Sequence, residues 1–525
     1  MTKRPNLLWI TALVLGWLFD LLFWKQPFGI NFGLYSLICL VAGLILLWIG
    51  GQRPARGAAW LAPLIAIFAV VTFIRSEPMS VFLGVVFTLL LLATLASTFL
   101  GGRWFWYGLA DYFSAFLKLA GSMIARPITF SAEVRGSRAV AGMARPTLKI
   151  WPFVRGVVIA VPILAIFGSL LASADAVFGH GLNALLSLLA IQNLPEYIFR
   201  MAYMLTGAYF LSGVLLHAST QSRDEKLMGE DKPLLARFLG FTEAAIVLAS
   251  VTVLFAAFVL VQFRYFFGGQ ANINVAGFTY ADYARRGFGE LVTVAFFSLF
   301  LILGLESISQ RESSTQRRWF SGLSVSIVAL VLVMLVSAYQ RLVMYEAAYG
   351  FSRLRTYTHV ALVWIGLLLV VVVVLEIVNR QRSFALAMLI ASLGFALSLA
   401  VANVDGLIAR ENIQRSAQGE PLDVPYLVSL SSDAVPALVD AFNSSSTPAA
   451  TRDAVGAVLF CRLRVDHATA PTDWQAFTFS RYQADAAFKR VQSKLDGYLV
   501  IDETWPTRVL TPAGSNFDCH GAGID

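Results

Sequence analysis

Eleven apolar stretches, each near the roughly twenty residues a helix needs to cross a hydrocarbon layer, fill about the first four hundred positions of this chain. From Asn403 to Asp525 it turns polar. Lipid offers backbone N–H and C=O groups no partner, so continuous apolar runs of this length fold as helices that satisfy themselves. The expected fold class is all-α: a polytopic helical membrane protein with a small α-helical C-terminal domain outside the membrane. The candidate spans are Leu7 to Trp24, Phe32 to Gly50, Ala58 to Ile74, Met79 to Leu100, Trp151 to Ala172, Tyr197 to Ala218, Phe241 to Phe266, Phe288 to Leu305, Phe320 to Tyr345, Tyr357 to Val378 and Phe384 to Asn403. Three regions follow: 1–150 with four spans and a basic, aromatic loop, 151–403 as a seven-span core, and 404–525 as the helical tail. Between Ala176 and Pro195 a shorter apolar segment reads as a re-entrant or interfacial helix.

Composition agrees with the membrane class. Hydrophobic residues make up 58% of the chain and charged residues 14%, against about a quarter charged in soluble domains. The net charge of +8 does not imply a nucleic-acid partner, because most Lys and Arg fall in the loops between spans. The first stretch ends in Phe23-Trp24-Lys25-Gln26-Pro27 without a small-residue cleavage site, so it is expected to be retained as a span. Neither end carries a lipidation motif, and spanning helices are the expected anchor.

Loop charge sets the orientation. With the N-terminus in the cytoplasm, Lys3, Arg4, Arg53, Arg56, Arg103, Lys118, Arg126, Arg135, Arg138, Arg145, Lys149, Arg223, Lys226, Lys232, Arg237, Arg311, Arg317, Arg318, Arg380 and Arg382 lie inside. The alternate loops hold Lys25, Arg75, Arg264, Arg285, Arg286, Arg341, Arg353 and Arg355. That bias places the polar tail outside. The inner loop opens with Arg103-Trp104-Phe105-Trp106-Tyr107, a mixture suited to the headgroup region. It is read as holding a surface helix whose charges either set topology or meet anionic lipid.

The tail shows short runs of helical period at Val424 to Leu430, Ala434 to Phe442, Thr451 to Leu463 and Phe479 to Leu495, with Ser432-Asp433 as the expected cap of the second. Cys461 and Cys519 both belong to it. An outside location would let them form a disulfide, although Cys461 sits in an apolar run and also reads as a buried thiol. The histidines are isolated, and no metal-ligand spacing, phosphate-binding glycine loop or nucleophile elbow occurs. No cofactor, metal or catalytic residue is therefore expected.

What stands out is an outer rim of charge at the span ends. It comprises Phe278 to Glu290 with Asp282, Arg285, Arg286 and Glu290; Tyr339 to His359 with Arg341, Glu346, Arg353, Arg355 and His359; and Asn403 to Asn412 with Asp405 and Arg410. Charges beside apolar spans carry a desolvation cost, so they pair or face a wet cavity. Arg341 with Glu346, and Asp282 or Glu290 with Arg353 or Arg355, are the expected pairs. Within these segments Phe278 to Phe288, Tyr345 to Arg355 and Asn403 to Arg410, together with Ser173-Ala174-Asp175-Ala176-Val177-Phe178 and Ser431 to Leu438, resemble the bacterial multi-pass membrane family catalogued as domain of unknown function 4173. The resemblance implies a bacterial membrane protein and carries no assigned activity.

Three functional classes are open to such a chain. A non-catalytic envelope protein, using its outer rim and tail for sensing, scaffolding or assembly with an outside protein or lipid ligand, asks least of the sequence. A transporter would place ionisable groups near the bilayer midplane, yet the span middles lack Asp, Glu, Lys and Arg. Polar Thr206, Ser250, Thr252 and Ser298 in the spans are expected to bond between helices. An envelope enzyme acting on a lipid-linked substrate would use rim carboxylates and arginines, with Asp20 near the end of the first span as a further candidate base.

Overall fold

The computed structural model describes residues 5–140, 150–175, 193–223, 237–267, 288–378, 380–469, 473–502 and 507–520, with 178, 227 and 228. Its helices are α1 (Pro5–Phe23), α2 (Ile30–Ile49), α3 (Arg56–Ala59) leading into α4 (Leu61–Ile74), α5 (Pro78–Thr98), α6 (Leu109–Val140), α7 (Ile150–Ala174), α8 (Leu194–Thr220), α9 (Phe241–Phe267), α10 (Phe288–Ile308), α11 (Ser314–Tyr349), α12 (Arg353–Ile377) and α13 (Phe384–Ala402). Among the described residues, ten helical segments are long and apolar enough to cross a membrane, with α3 and α4 counted as one. The expected span at Trp151 to Ala172 coincides with α7, which is not among those ten. The segment expected to re-enter at Ala176 to Pro195 falls mostly outside the described residues.

The residues form two compact units. One comprises 1–24, 42–52 and 118–221; the other comprises 25–41, 53–117 and 222–525. In the first, Gly16 of α1 faces α8 so closely that a Cβ would stand 2.5 Å from the Met204 carbonyl oxygen. Only a small residue permits that backbone approach, which replaces hydrophobic drive as the source of helix association in lipid. The same pair of helices is tied by Arg200 and Asp20, 2.6 Å apart, and by Trp24 Nε1 donating to Glu196 at 2.9 Å.

In the second unit, α9 to α13 pack around Leu248, Ile302, Phe320, Ile327, Val331 and Leu342. Their polar groups follow a rule the sequence left open. Thr252 and Ser298 donate to carbonyls of their own helices, Leu248 and Val294, and not between helices as expected. Bonds that do cross between helices include Ser337 to Gln262 at 2.7 Å and Trp364 to Ser398 at 3.1 Å. Helix α11 has 36 residues, about 54 Å, more than a bilayer core requires. Ser313 and Gln316 close its start in a capping box, and Gly350 ends it at φ 78°, a conformation costly for any residue with a Cβ.

The tail carries α14 (Val404–Ala417), α15 (Val424–Val428), α16 (Val435–Asn443), α17 (Ala449–Thr469) and α18 (Phe479–Lys489). It is not wholly helical. Strands β1 (Leu499–Asp502), β2 (Arg508–Leu510) and β3 (Asn516–Asp518) form an antiparallel sheet in the order β1-β2-β3, pairing Val500 with Val509 and Val509 with Phe517. Strands of three or four residues are too short for alternation to register against a helical background. The structure places Cys461 of α17 and Cys519, just past β3, in a disulfide with a Cα separation of 5.6 Å.

The tail core is built from Ile408, Leu427, Leu438, Val455, Leu459 and Val491, all nearly inaccessible. Met79, Leu83, Phe351, Val360 and Phe395 from the span ends pack against it. Each fully buried aliphatic side chain contributes roughly 1.5 to 3 kcal/mol, so this shared core is a substantial attachment.

Candidate functional site

Four loops of the second unit meet the tail at one end of its helices: 26–30, 75–77, 350–353 and 400–403. Helix α14 sets the alignment, because Asp405, Asn412 and Arg415 project along one side of it toward the turn between α11 and α12. Arg353 grips Asp405 with two bonds, Nε to Oδ1 at 2.8 Å and Nη2 to Oδ2 at 2.6 Å. Asp405 is fully buried and also accepts from the Ser431 amide at 2.6 Å. The planar guanidinium matches a carboxylate in this forked geometry, which a lysine cannot reproduce. Arg353 completes the joint through its own amide, which donates to the Tyr426 hydroxyl at 2.8 Å. Burial raises the Tyr426 phenol above its ordinary pKa, so it stays a neutral acceptor.

A second carboxylate, Asp433, closes the other side. It accepts from the Ser76 amide at 2.7 Å, the Glu77 amide at 2.9 Å and Arg75 at 3.3 Å. The sequence suggests Ser432-Asp433 as the cap of the following helix, but the N-cap of α16 is Ala434, which offers no side-chain cap, and Asp433 serves a distant loop. Glu77 in turn caps α5 through the Met79 and Ser80 amides and accepts from Tyr357. Arg75 Nε donates to the Ala400 carbonyl at 2.6 Å, satisfying the last turn of α13. Asn403, at φ 51°, turns the chain from α13 into α14 and caps the new helix through Gly406.

Beside these clasps, Asn412 holds the Phe351 backbone at both its amide, 2.8 Å, and its carbonyl, 2.9 Å. Arg415 donates to Ala347 and Ala348, and Arg355 to Gly350, so two guanidiniums cap the C-terminus of α11. Between this turn and the α14–α15 connection lies a cavity of about 210 Å³ lined by Tyr349, Ser352, Arg355, Asn412, Arg415 and Asp423, among others.

The other sequence candidates fall as follows. Asp282, Arg285 and Arg286 lie outside the described residues. Glu290 sits exposed in the first turn of α10 and is not the partner of Arg353. Glu346, buried, lies 3.2 Å from His359 Nδ1 with no hydrogen bond between them. Arg341 is buried on α11, and His359 also packs its ring on Tyr339. Arg410 is exposed and makes no bond among the described residues. Asp20, the candidate base near the first span end, is consumed by Arg200. Sequence reasoning missed Arg75, Glu77, Asp433 and Tyr426. The one local signal was Glu77-Pro78, a capping residue before a proline at the first helical position.

A family model, described as Domain of unknown function (DUF4153), matches residues 62–441. The chain belongs to this family. The match runs from α4 to α16 and so includes both clasps and the cavity, while the disulfide lies beyond it. The likeness to domain of unknown function 4173 is not confirmed by it. No curated protein and no solved structure matches the chain. The family supplies no activity, and what it contains here is a polytopic helical membrane-type protein of unknown activity.

Proposed function

We propose that this chain is a non-catalytic protein of the bacterial cytoplasmic membrane that holds its C-terminal domain rigidly outside, in a sensing, scaffolding or assembly role. The carrying observation is saturation of the three carboxylates where the tail meets the spans. Asp405, Asp433 and Glu77 each accept from several amides, hydroxyls or guanidiniums, an arrangement that fixes structure and leaves no poised base.

Sidedness has its own support. The four loops that meet the tail are those that loop charge assigns to the outside, and eleven spans, with α7 as the fifth, would bring the chain there. Membrane-impermeant maleimide applied to intact cells tests this. In a Cys39→Ser background, Ser445→Cys, in an exposed tail loop, is expected to label and Arg53→Cys to stay unlabelled until the cells are opened. The reverse pattern overturns the placement. Solute flux by reconstituted protein would replace the scaffold reading with transport.

A further inference from the structure

We propose that the cavity between the α11–α12 turn and the α14–α15 connection binds an anionic group, a carboxylate or phosphate, through Arg355, Arg415 and Ser352. The inference deepens the rim reading by naming a ligand class, and it does not depend on which side of the membrane the rim faces.

Donor supply carries it. Arg355 gives Nη1 to Gly350 and stacks 4.1 Å over the Tyr345 ring, which leaves Nε and Nη2 without an acceptor among the described residues. Arg415 uses Nε on Ala347 and Nη2 on Ala348 and Glu420, which leaves Nη1. Ser352 stands at the N-cap of α12, where a serine normally caps its helix, yet its hydroxyl bonds to nothing there. The cavity thus collects unused donors from two cations and one hydroxyl. Asp423 is the one carboxylate in the lining, and one of its oxygens already accepts from the Tyr426 amide at 3.0 Å. Glu420 pairs with Arg415 from outside the lining, so what an anion would meet is the unused donors of the two guanidiniums and Ser352, and the 25-residue helix α12 directs its N-terminal end at the same place.

Size limits the ligand. A volume of about 210 Å³ equals roughly seven liquid waters, enough for an anionic group with a few attached atoms but not for a lipid chain. Tyr349, part of the lining and well exposed, offers apolar surface to whatever the anion is attached to. The anion therefore belongs either to a free solute or to a lipid headgroup whose tails stay outside.

The test uses the full chain. Detergent-solubilised protein is titrated with inorganic phosphate, and separately the protein is placed in bilayer discs of phosphatidylglycerol or phosphatidylcholine, with thermal unfolding as the readout. Phosphate is expected to raise the midpoint, and Arg355→Gln to weaken that response about tenfold or more. Ser352→Ala, which breaks no internal bond, is expected to weaken it by a smaller factor, while Arg410→Gln leaves it unchanged. A shift in phosphatidylglycerol alone supports the headgroup as the source. No shift with either probe, or equal shifts in wild type, Arg355→Gln and Ser352→Ala, overturns the proposal.

Discussion

The two ends of the second unit's helices treat buried carboxylates differently. At the tail end, Asp405 and Asp433 are surrounded by donors, several of them backbone amides of turns and helix starts. At the opposite end, Glu306 of α10 and Glu376 of α12 share one guanidinium, Arg311, at 3.7 and 3.8 Å, in a wall of Phe320, Phe384 and aliphatic side chains. Ser321 adds a 2.7 Å bond to Glu376, whereas Glu306 Oε1 is buried without a hydrogen bond. The difference follows from chain geometry. The C-termini of α10 and α12 present carbonyls, which repel carboxylates, while the tail end offers free amides at the turn after Arg75 and before α16. Asp405 and Asp433 are thus stabilising where they stand, and Glu306 is tolerated, as is Glu346 near the tail end, whose buried Oε1 also has no hydrogen bond.

Substitutions can break that contrast. The largest effect is expected at Asp405→Ala, which strands Arg353 and the Ser431 amide and should cost about 3 to 5 kcal/mol. The check is loss of resistance to unfolding, with proteolysis between α13 and α16 appearing first; a variant as stable as the parent would show that the shared apolar core alone holds the tail. Next, Cys461→Ser should cost about 2 to 4 kcal/mol and act locally. Proteases are expected to reach β1 to β3 while α14 stays protected, which separates the staple from the clasp. The smallest effect belongs to Glu306→Gln. Removing a charge that lacks a full set of donors should change stability by less than about 1 kcal/mol or raise it. A loss as large as that of Asp405→Ala would erase the contrast between the ends.

The spans were legible because lipid imposes a single length and composition rule on each of them, and the observed helices start and stop within a few residues of most expected ranges. Arg353 and Asp405 were legible as candidates by their charge beside apolar runs. Their pairing was not: 52 positions separate them, and Glu290 stood as good a chance on sequence spacing. The Arg75–Asp433 contact spans 358 positions, and no local pattern marks it. Thr252 and Ser298 were misjudged because a hydroxyl in a helix finds a carbonyl one turn back at no cost in geometry, whatever lies across from it.

From the sequence alone came the helical membrane class, the apolar-to-polar switch at Asn403 and the set of charges around it. These depend on transfer free energies, which each residue carries with it wherever it stands. Tertiary structure decided which acid meets which base, that the tail shares its core with the span ends, and that its last turn is a sheet. Those outcomes depend on relative positions of distant segments, a property that no single stretch of chain contains.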